Sequence, residues 1–315
     1  MKFLLLSDGH LRLKIPEGRT ETYIEDQKGK WDYISEFVIG EKIDLIIQAG
    51  DLFDKYNPPY SLLSWFVELD MFVYDFNFHT IPGQHDLMMR SNNISSTAMG
   101  LLSNLDCLSV MSEEGEFIGG NIKLYGVPFG GDYNKIDTDK ISKKDLNILV
   151  VHDMIGNEPL YPGHDITKAS NFLKTWKEFD VILCGDYHYP FAHKSKDGRV
   201  IINTGCLMRM TRDERDMKRE PHFYVLDTDS YFESGKIDLK KHIIPHKPYE
   251  EVFYEKVVSE SLLSRNQSLM DFLEKLKSKE RVGVSYLETL KEYYEMNDVS
   301  DDVKNLISEV LQTGG

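Results

Sequence analysis

A chain of 315 residues, 41% hydrophobic and 28% charged, has the composition of a soluble globular protein, with room for one large domain and a smaller one. Its formal net charge of −15 argues against a generic polyanion-binding surface, while leaving open a phosphate substrate at a site neutralised by bound cations. No apolar run approaches membrane-spanning length, and three widely spaced cysteines, Cys107, Cys184 and Cys206, fit a reducing cytoplasm rather than a disulfide framework.

Met1-Lys2 and the apolar Phe3–Leu6 imitate the start of a signal peptide, but the run stops at Ser7-Asp8, so a first strand is expected there. The charged stretch from Arg12 to Lys30 reads as a loop. Trp31, Ile34, Phe37 and Val38 then recur at helical spacing. Ile43, Leu45, Ile46 and Ile47 form a buried strand of a largely parallel sheet, ending in Ala49-Gly50 and Asp51. Leu62, Leu63, Phe66, Leu69 and Val73 mark another core-facing helix, and Phe78–Ile81 is a short strand. Further strands are expected at Ile122–Val127, Ile148–Val151, Val181–Cys184, Val200–Ile202 and Phe223–Leu226. Strands interleaved with helices predict an α/β fold, a two-sheet sandwich with helices outside.

The pattern divides the chain into a domain over residues 1–245 and a helical region over 246–315. The latter carries a helix with Leu269, Phe272, Leu273 and Leu276 on one face, and a capping box at Ser285–Glu288. A last helix has the stripe Val303, Leu306, Ile307, Val310 and Leu311. So short a region either packs on the first domain or offers a stripe to a partner.

Five strand ends carry residue types that ligate metals: Asp8 and His10; Asp51 with Asp54; Gln84, His85 and Asp86; His152; and Asp186 with His188. Any one of them taken alone reads more readily as a turn cap or a hydrogen-bonded histidine. In an open α/β sheet, however, strand ends converge on one edge. So many carboxylates gathered there would repel one another unless divalent cations neutralised them.

In order and spacing these residues resemble the signature of the calcineurin-like metallophosphoesterases over the whole first domain. SDGHL, AGDLFD, Ile81-Pro82-Gly83, and Asn203-Thr204-Gly205 followed by Leu207 and Arg209 are similar to the SbcD branch. That branch is the nuclease subunit of the SbcC–SbcD DNA-processing complex and its phage counterparts. The resemblance implies one metal on Asp8, His10, Asp51 and His188, and a second on Asp51, Gln84, His152 and Asp186. It implies water as the nucleophile in DNA phosphodiester cleavage, so that no serine or cysteine nucleophile is required. It further gives His85 the role of stabilising the transition state or protonating the leaving 3′ oxygen, Asp86 that of orienting His85, and Asp54 that of a partner for His10. An SbcC-like ATPase bound through the C-terminal helices, DNA, and a homodimer are the partners it admits.

Two positions depart from the family pattern, both at the second metal. Gln84 replaces an asparagine, and Asp186 replaces the first histidine of G-H-x-H. An added carboxylate favours the hard cations Mn²⁺ or Mg²⁺ over Zn²⁺. For a DNA substrate the candidate phosphate contacts are Arg12, Lys14, Lys55, Arg90, Arg209 and Arg212, with Tyr56 and Tyr60 available for stacking. Within Arg209–Arg219 the basic residues alternate with Asp213, Glu214 and Asp216, which predicts internal pairing there.

Overall fold

The structure, a computed structural model, describes residues 1–254 except 74–75, 89–90, 92 and 161–162. Arg90 and the three helices expected beyond residue 268 therefore lie outside the described residues. The strands in chain order are β1 (Lys2–Leu6), β2 (Leu45–Gln48), β3 (Phe78–Thr80), β4 (Ser109–Val110), β5 (Glu116–Gly119), β6 (Ile122–Val127) and β7 (Leu146–Asp153). They continue with β8 (Ile155–Gly156), β9 (Thr167–Lys168), β10 (Val181–Asp186), β11 (Phe191–Lys194), β12 (Val200–Asn203), β13 (His222–Asp227) and β14 (Asp238–Ile243). The helices are α1 (Tyr23–Gly40), α2 (Tyr60–Val67), α3 (Asp70–Val73), α4 (Ala98–Asn104), α5 (Ala169–Thr175), α6 (Glu214–Lys218), α7 (Thr228–Ser234) and α8 (Tyr249–Val252).

Two six-stranded sheets form, in the orders β14-β13-β1-β2-β3-β4 and β11-β12-β10-β7-β6-β5. Each has a parallel centre and antiparallel strands at its margins, β13 and β14 in the first sheet, β5 and β11 in the second. Alternation along β1 shows the layering. Phe3 and Leu5 enter a core shared with Ile148, Val150, Val181 and Leu183 of the other sheet. Leu4 and Leu6 face outwards into a second core with Trp31, Ile34 and Phe66 of α1 and α2. The outer face of the second sheet is covered likewise, with Leu149, Ile182 and Ile201 against Phe172 and Leu173 of α5. Both faces of the central strands are thus apolar, which is why they read as continuous hydrophobic runs.

Two local expectations are corrected. The stretch Arg12–Lys30 is not all loop, because α1 begins at Tyr23 and buries Tyr23, Gln27 and Lys30 on the same side as Trp31. The helix expected across Leu62–Val73 is two helices, since α2 stops at Val67 and Leu69 N–H turns back to Phe66 O. After β14 the chain returns to the N-terminal segment, where Thr20 N–H bonds Val252 O and Tyr254 N–H bonds Gly18 O, both at 3.0 Å. Cys107, Cys184 and Cys206 are free thiols. Among the described residues no helix is long and apolar enough to cross a membrane.

Candidate metal centre

Because β1, β2 and β3 run parallel in one sheet and β7 and β10 in the other, their carboxyl ends lie on one edge of the sandwich. The two sheets are fastened there by Ser7 and Thr204. Ser7 Oγ donates to Cys184 O at 2.7 Å, and Ser7 N–H donates to Thr204 Oγ1 at 2.8 Å. Ser7 Oγ in turn accepts from Thr204 N–H at 3.0 Å. Within the first sheet the buried Gln48 amide donates to Ser7 O at 2.9 Å and to Gly50 O, and its carbonyl accepts from Thr80 Oγ1. Neither Ser7 nor Gln48 is a candidate by residue type. The one signal for Gln48 is a polar side chain inside an apolar run.

This frame gathers Asp8, His10, Asp51, His85, His152 and His188. Their ligating atoms form three overlapping triads: Asp8-His10-His188, His10-Asp51-His85, and Asp8-Asp51-His152. In each triad the atoms lie within 4.8 Å of one another. Asp51 is at the centre. Its Oδ1 accepts from His85 N–H at 2.8 Å. Its Oδ2 stands 3.4 Å from His152 Nε2, 3.6 Å from His10 Nε2 and 4.0 Å from His85 Nε2. His10 Nε2 and His188 Nε2 face each other at 3.0 Å. Asp51, His10 and Asp186 all have positive φ, at 50°, 45° and 73°, so three non-glycine residues hold costly backbone conformations at one site. Gly50, itself at φ 85°, leaves room for His152, whose Nδ1 would lie 2.5 Å from a Cβ there.

The electrostatics call for a cation. Asp8 and Asp51 are fully buried, and Asp8 Oδ2 and Asp51 Oδ2 have no hydrogen-bond partner, an expensive state for carboxylate oxygens. Burial raises the Asp8 carboxyl above its usual range. Burial pushes Asp51 the same way, but His152, His10 and His85 overcome it and hold Asp51 well below that range. Burial also pulls His10 down to about 3, which keeps its imidazole neutral and able to ligate. At His152 burial is outweighed by Asp51, Asp8 and Asp186, which hold its imidazolium up to about 10. The donor set, hard carboxylates with imidazoles, fits divalent transition ions.

Gln84 and Asp186 are placed differently. Gln84 Nε2 donates to Asp186 Oδ1 at 2.8 Å, and Gln84 Oε1 stands 2.7 Å from His152 Nε2. Asp186 is in none of the three triads; its backbone N–H donates to Asp8 Oδ1 at 3.0 Å.

Three expected roles are corrected. Asp86 does not hold the His85 ring; its carboxylate accepts from the backbone N–H groups of Gly83, Leu52 and Phe53 at 3.0, 3.3 and 3.2 Å. Burial, then Asp51, pushes Asp86 up to about 7. His85 is held instead by Asp54, through the main chain, with His85 Nδ1 2.9 Å from Asp54 O. The Asp54 carboxylate pairs with Arg12 at 2.8 Å rather than with His10. Arg209 is 6% exposed and donates to Arg219 O and Lys247 O, so it is not the exposed phosphate contact expected for DNA. Lys14, Lys55, Arg212 and Tyr60 are exposed, while Arg12 and Tyr56 are half-buried. Arg219 pairs with Asp216 at 2.8 Å and Lys218 with Glu214 at 2.5 Å, the internal pairing expected of that stretch.

A two-sheet sandwich with an acid and histidine cluster at its strand ends defines a metal-dependent phosphoesterase class. The chain belongs to the calcineurin-like phosphoesterase family, whose model matches residues 1–190. It is 28% identical over 239 residues to the DNA double-strand break repair protein Mre11 of Saccharolobus solfataricus, an alignment covering 72% of this chain and 60% of that protein. The chain thus spans about 60% of the length of that curated relative. Among solved structures, the protein TT1561 of Thermus thermophilus superposes with a TM-score of 0.49 at 12% identity, over 78% of this chain and 99% of that one. A dimetal phosphatase from Danio rerio gives 0.42 at 12% identity, over 72% and 92%.

Proposed function

We infer that the chain is a dimetal-dependent phosphodiesterase acting on DNA, the SbcD-like nuclease subunit of a repair or recombination complex. The observation that carries this reading is Asp51 Oδ2, a buried carboxylate oxygen with no hydrogen bond, ringed by the Nε2 atoms of His10, His85 and His152. The likeness to a protein named for DNA double-strand break repair supports DNA as the substrate. Asp8, His10, Asp51 and His188 would hold one cation, and Asp51, Gln84, His152 and Asp186 the other. Mn²⁺ is favoured by the carboxylate at position 186, with Mg²⁺ as the related choice. When bound, such a pair clamps the attacking and leaving oxygens of an in-line phosphoryl displacement.

The chain's own residues supply the rest. His152 Nδ1 lies 2.6 Å from Ala49 O, so it donates there and its Nε2 is aimed at Asp51 and Gln84. His85 is fixed in the same way by Asp54 O. Its Nε2 stands 4.0 Å from Asp51 Oδ2 while its side chain is half-exposed, so His85 borders the cluster where it meets solvent. From there His85 can hold a proton at Nε2 and deliver it to a leaving 3′ oxygen. Arg12 and Lys55 flank this side through Asp54 and would meet the DNA backbone. An SbcC-like ATPase would engage the C-terminal region, and charged substitutions at Leu306 and Val310 test that contact by loss of co-purification with nuclease activity retained.

A second reading is favoured by one observation. Gln84 satisfies Asp186 and His152 at once, so the second cation must displace a formed pair, and a weakly active scaffold subunit would follow if it could not. Digestion of end-labelled DNA with manganese, beside a p-nitrophenyl phosphodiester and a phosphoprotein, separates the readings. Cleavage of DNA supports the nuclease, cleavage of the phosphoprotein alone a phosphatase, and no cleavage by metal-loaded protein the scaffold.

A further inference from the structure

We propose that the cavity between α1 and the segment 245–252 is a binding site for a phosphate-type oxyanion, separate from the strand-end cluster. The cavity measures about 430 Å³ and is lined by four cations, Arg19, Lys30, Arg209 and Lys247, against two acids, Glu25 and Asp26. Arg19, Lys30 and Arg209 are only 4%, 6% and 6% exposed. A protein with a net charge of −15 thus buries a local excess of positive charge, which is costly without a counter-charge.

The counter-charge present falls short: the nearby buried Asp216, which acts on Arg19 and Arg209, is itself paired with the buried Arg219 at 2.8 Å. Asp26 serves both Arg19, at 3.3 Å, and Lys247, at 2.7 Å. The other contacts to the cations are main-chain carbonyls and, for Arg19, the faces of Tyr23 and Phe253 at 4.9 and 5.0 Å, none of which carries a net charge. Lys30 Nζ donates to Leu207 O at 2.9 Å, Arg19 to Arg209 O at 2.7 Å, and Arg209 to Arg219 O and Lys247 O at 2.9 and 3.0 Å. Carbonyl dipoles accept hydrogen bonds but carry no net charge. Lys30 thus has one acceptor for three donor hydrogens, and the buried Arg19 Nε has none. Burial, with Arg219 and Arg19 alongside, pulls the Lys30 ammonium down to about 7, the response expected of a cation missing its anion.

A tetrahedral oxyanion offers several acceptor oxygens and the missing charge together, and arginine and lysine are the side chains that suit it. Glu25, Pro245 and Lys247 at the rim are exposed, so the cavity opens to solvent. It has room for more than orthophosphate, so the phosphate can be free or carried by a nucleotide. Leu207, whose carbonyl receives Lys30, gives its own N–H to Asp8 O at 2.8 Å. The site is therefore one residue removed from the metal cluster.

The test is isothermal titration of the full chain with inorganic phosphate and, separately, thymidine 5′-monophosphate, in chloride buffers of matched ionic strength. Wild type and Asp51→Asn, in which the strand-end cluster is disabled, are expected to share one binding component. Lys30→Met should weaken that component about tenfold or more, the worth of a charge-assisted hydrogen bond. Glu25→Gln should tighten it several-fold, a gain that misfolding cannot mimic. Tighter binding of the monophosphate identifies a nucleotide phosphate, and binding of inorganic phosphate alone a free one. The proposal is overturned if Asp51→Asn abolishes all binding, or if Glu25→Gln and Lys30→Met leave it unchanged.

Discussion

Gln84 reaches Asp186 directly, its amide nitrogen donating to the carboxylate at 2.8 Å. The two departures from the family pattern are therefore one feature. The extra methylene of glutamine carries the amide to a carboxylate that stands where a histidine is usual. Asp186→His should move metal preference from manganese towards zinc and leave the Gln84 amide without its acceptor. Gln84→Asn should in turn leave Asp186 Oδ1 unpaired. The double variant should depart from the sum of the singles by about 0.5–3 kcal/mol in manganese affinity, as expected for residues in contact. Additive effects, measured by manganese titration under electron paramagnetic resonance, would show that the pairing has no consequence for the metal.

His85 has its ring fixed by Asp54 O, with Nε2 turned to the cluster, 4.0 Å from Asp51 Oδ2. His85→Asn should lower kcat on DNA by about 10²–10⁴-fold, the usual worth of a positioned acid. A p-nitrophenyl diester, whose leaving group departs without a proton, should be affected far less. Equal losses on both substrates would make His85 a metal ligand instead, as its triad with His10 and Asp51 allows.

Ser7 joins the two sheets through hydrogen bonds with Cys184 and Thr204. Ser7→Ala removes the acceptor of the buried Thr204 N–H and should cost about 1–3 kcal/mol, read as a lower urea midpoint with an unchanged slope. A midpoint equal to wild type would show that the sheets are held without this fastening.

Lys30 gives a pH dependence of defined sign. Its folded value of about 7 lies below the ordinary lysine value of 10.5. Between those values the unfolded chain binds more protons than the folded one, so stability rises with pH across that window, by at most about 1.4 kcal/mol per unit. Below pH 7 both states are protonated and the contribution is flat. Lys30→Met should remove this rise from the pH profile of chemical unfolding, whereas parallel profiles for the two proteins would contradict it.

Much of the architecture was legible because the central strands are apolar on both faces. The runs around Leu45–Ile47, Ile148–Val151 and Val181–Cys184 could be little else, and the acids and histidines follow at their ends. The edge strands β5, β11 and β14 were not legible, since their residues are largely exposed and show no apolar run. The start of α1 was hidden because its first turns bury Gln27 and Lys30 in place of apolar residues. The exchange of roles between Asp54 and Asp86 depends on backbone amides and a backbone carbonyl, groups every residue carries. Arg209 looked like a substrate contact because its charge is visible in the sequence, while the carbonyls that bury it are not.

Whether Asp51 joins two cations in a site that cleaves DNA is decided by digesting end-labelled DNA with manganese-saturated wild type and Asp51→Asn, with bound manganese counted per chain. Wild type should hold two ions per chain and cleave DNA, and Asp51→Asn should lose both properties. Intact DNA with a fully loaded wild-type site, or undiminished cleavage by Asp51→Asn, would contradict the bridging role.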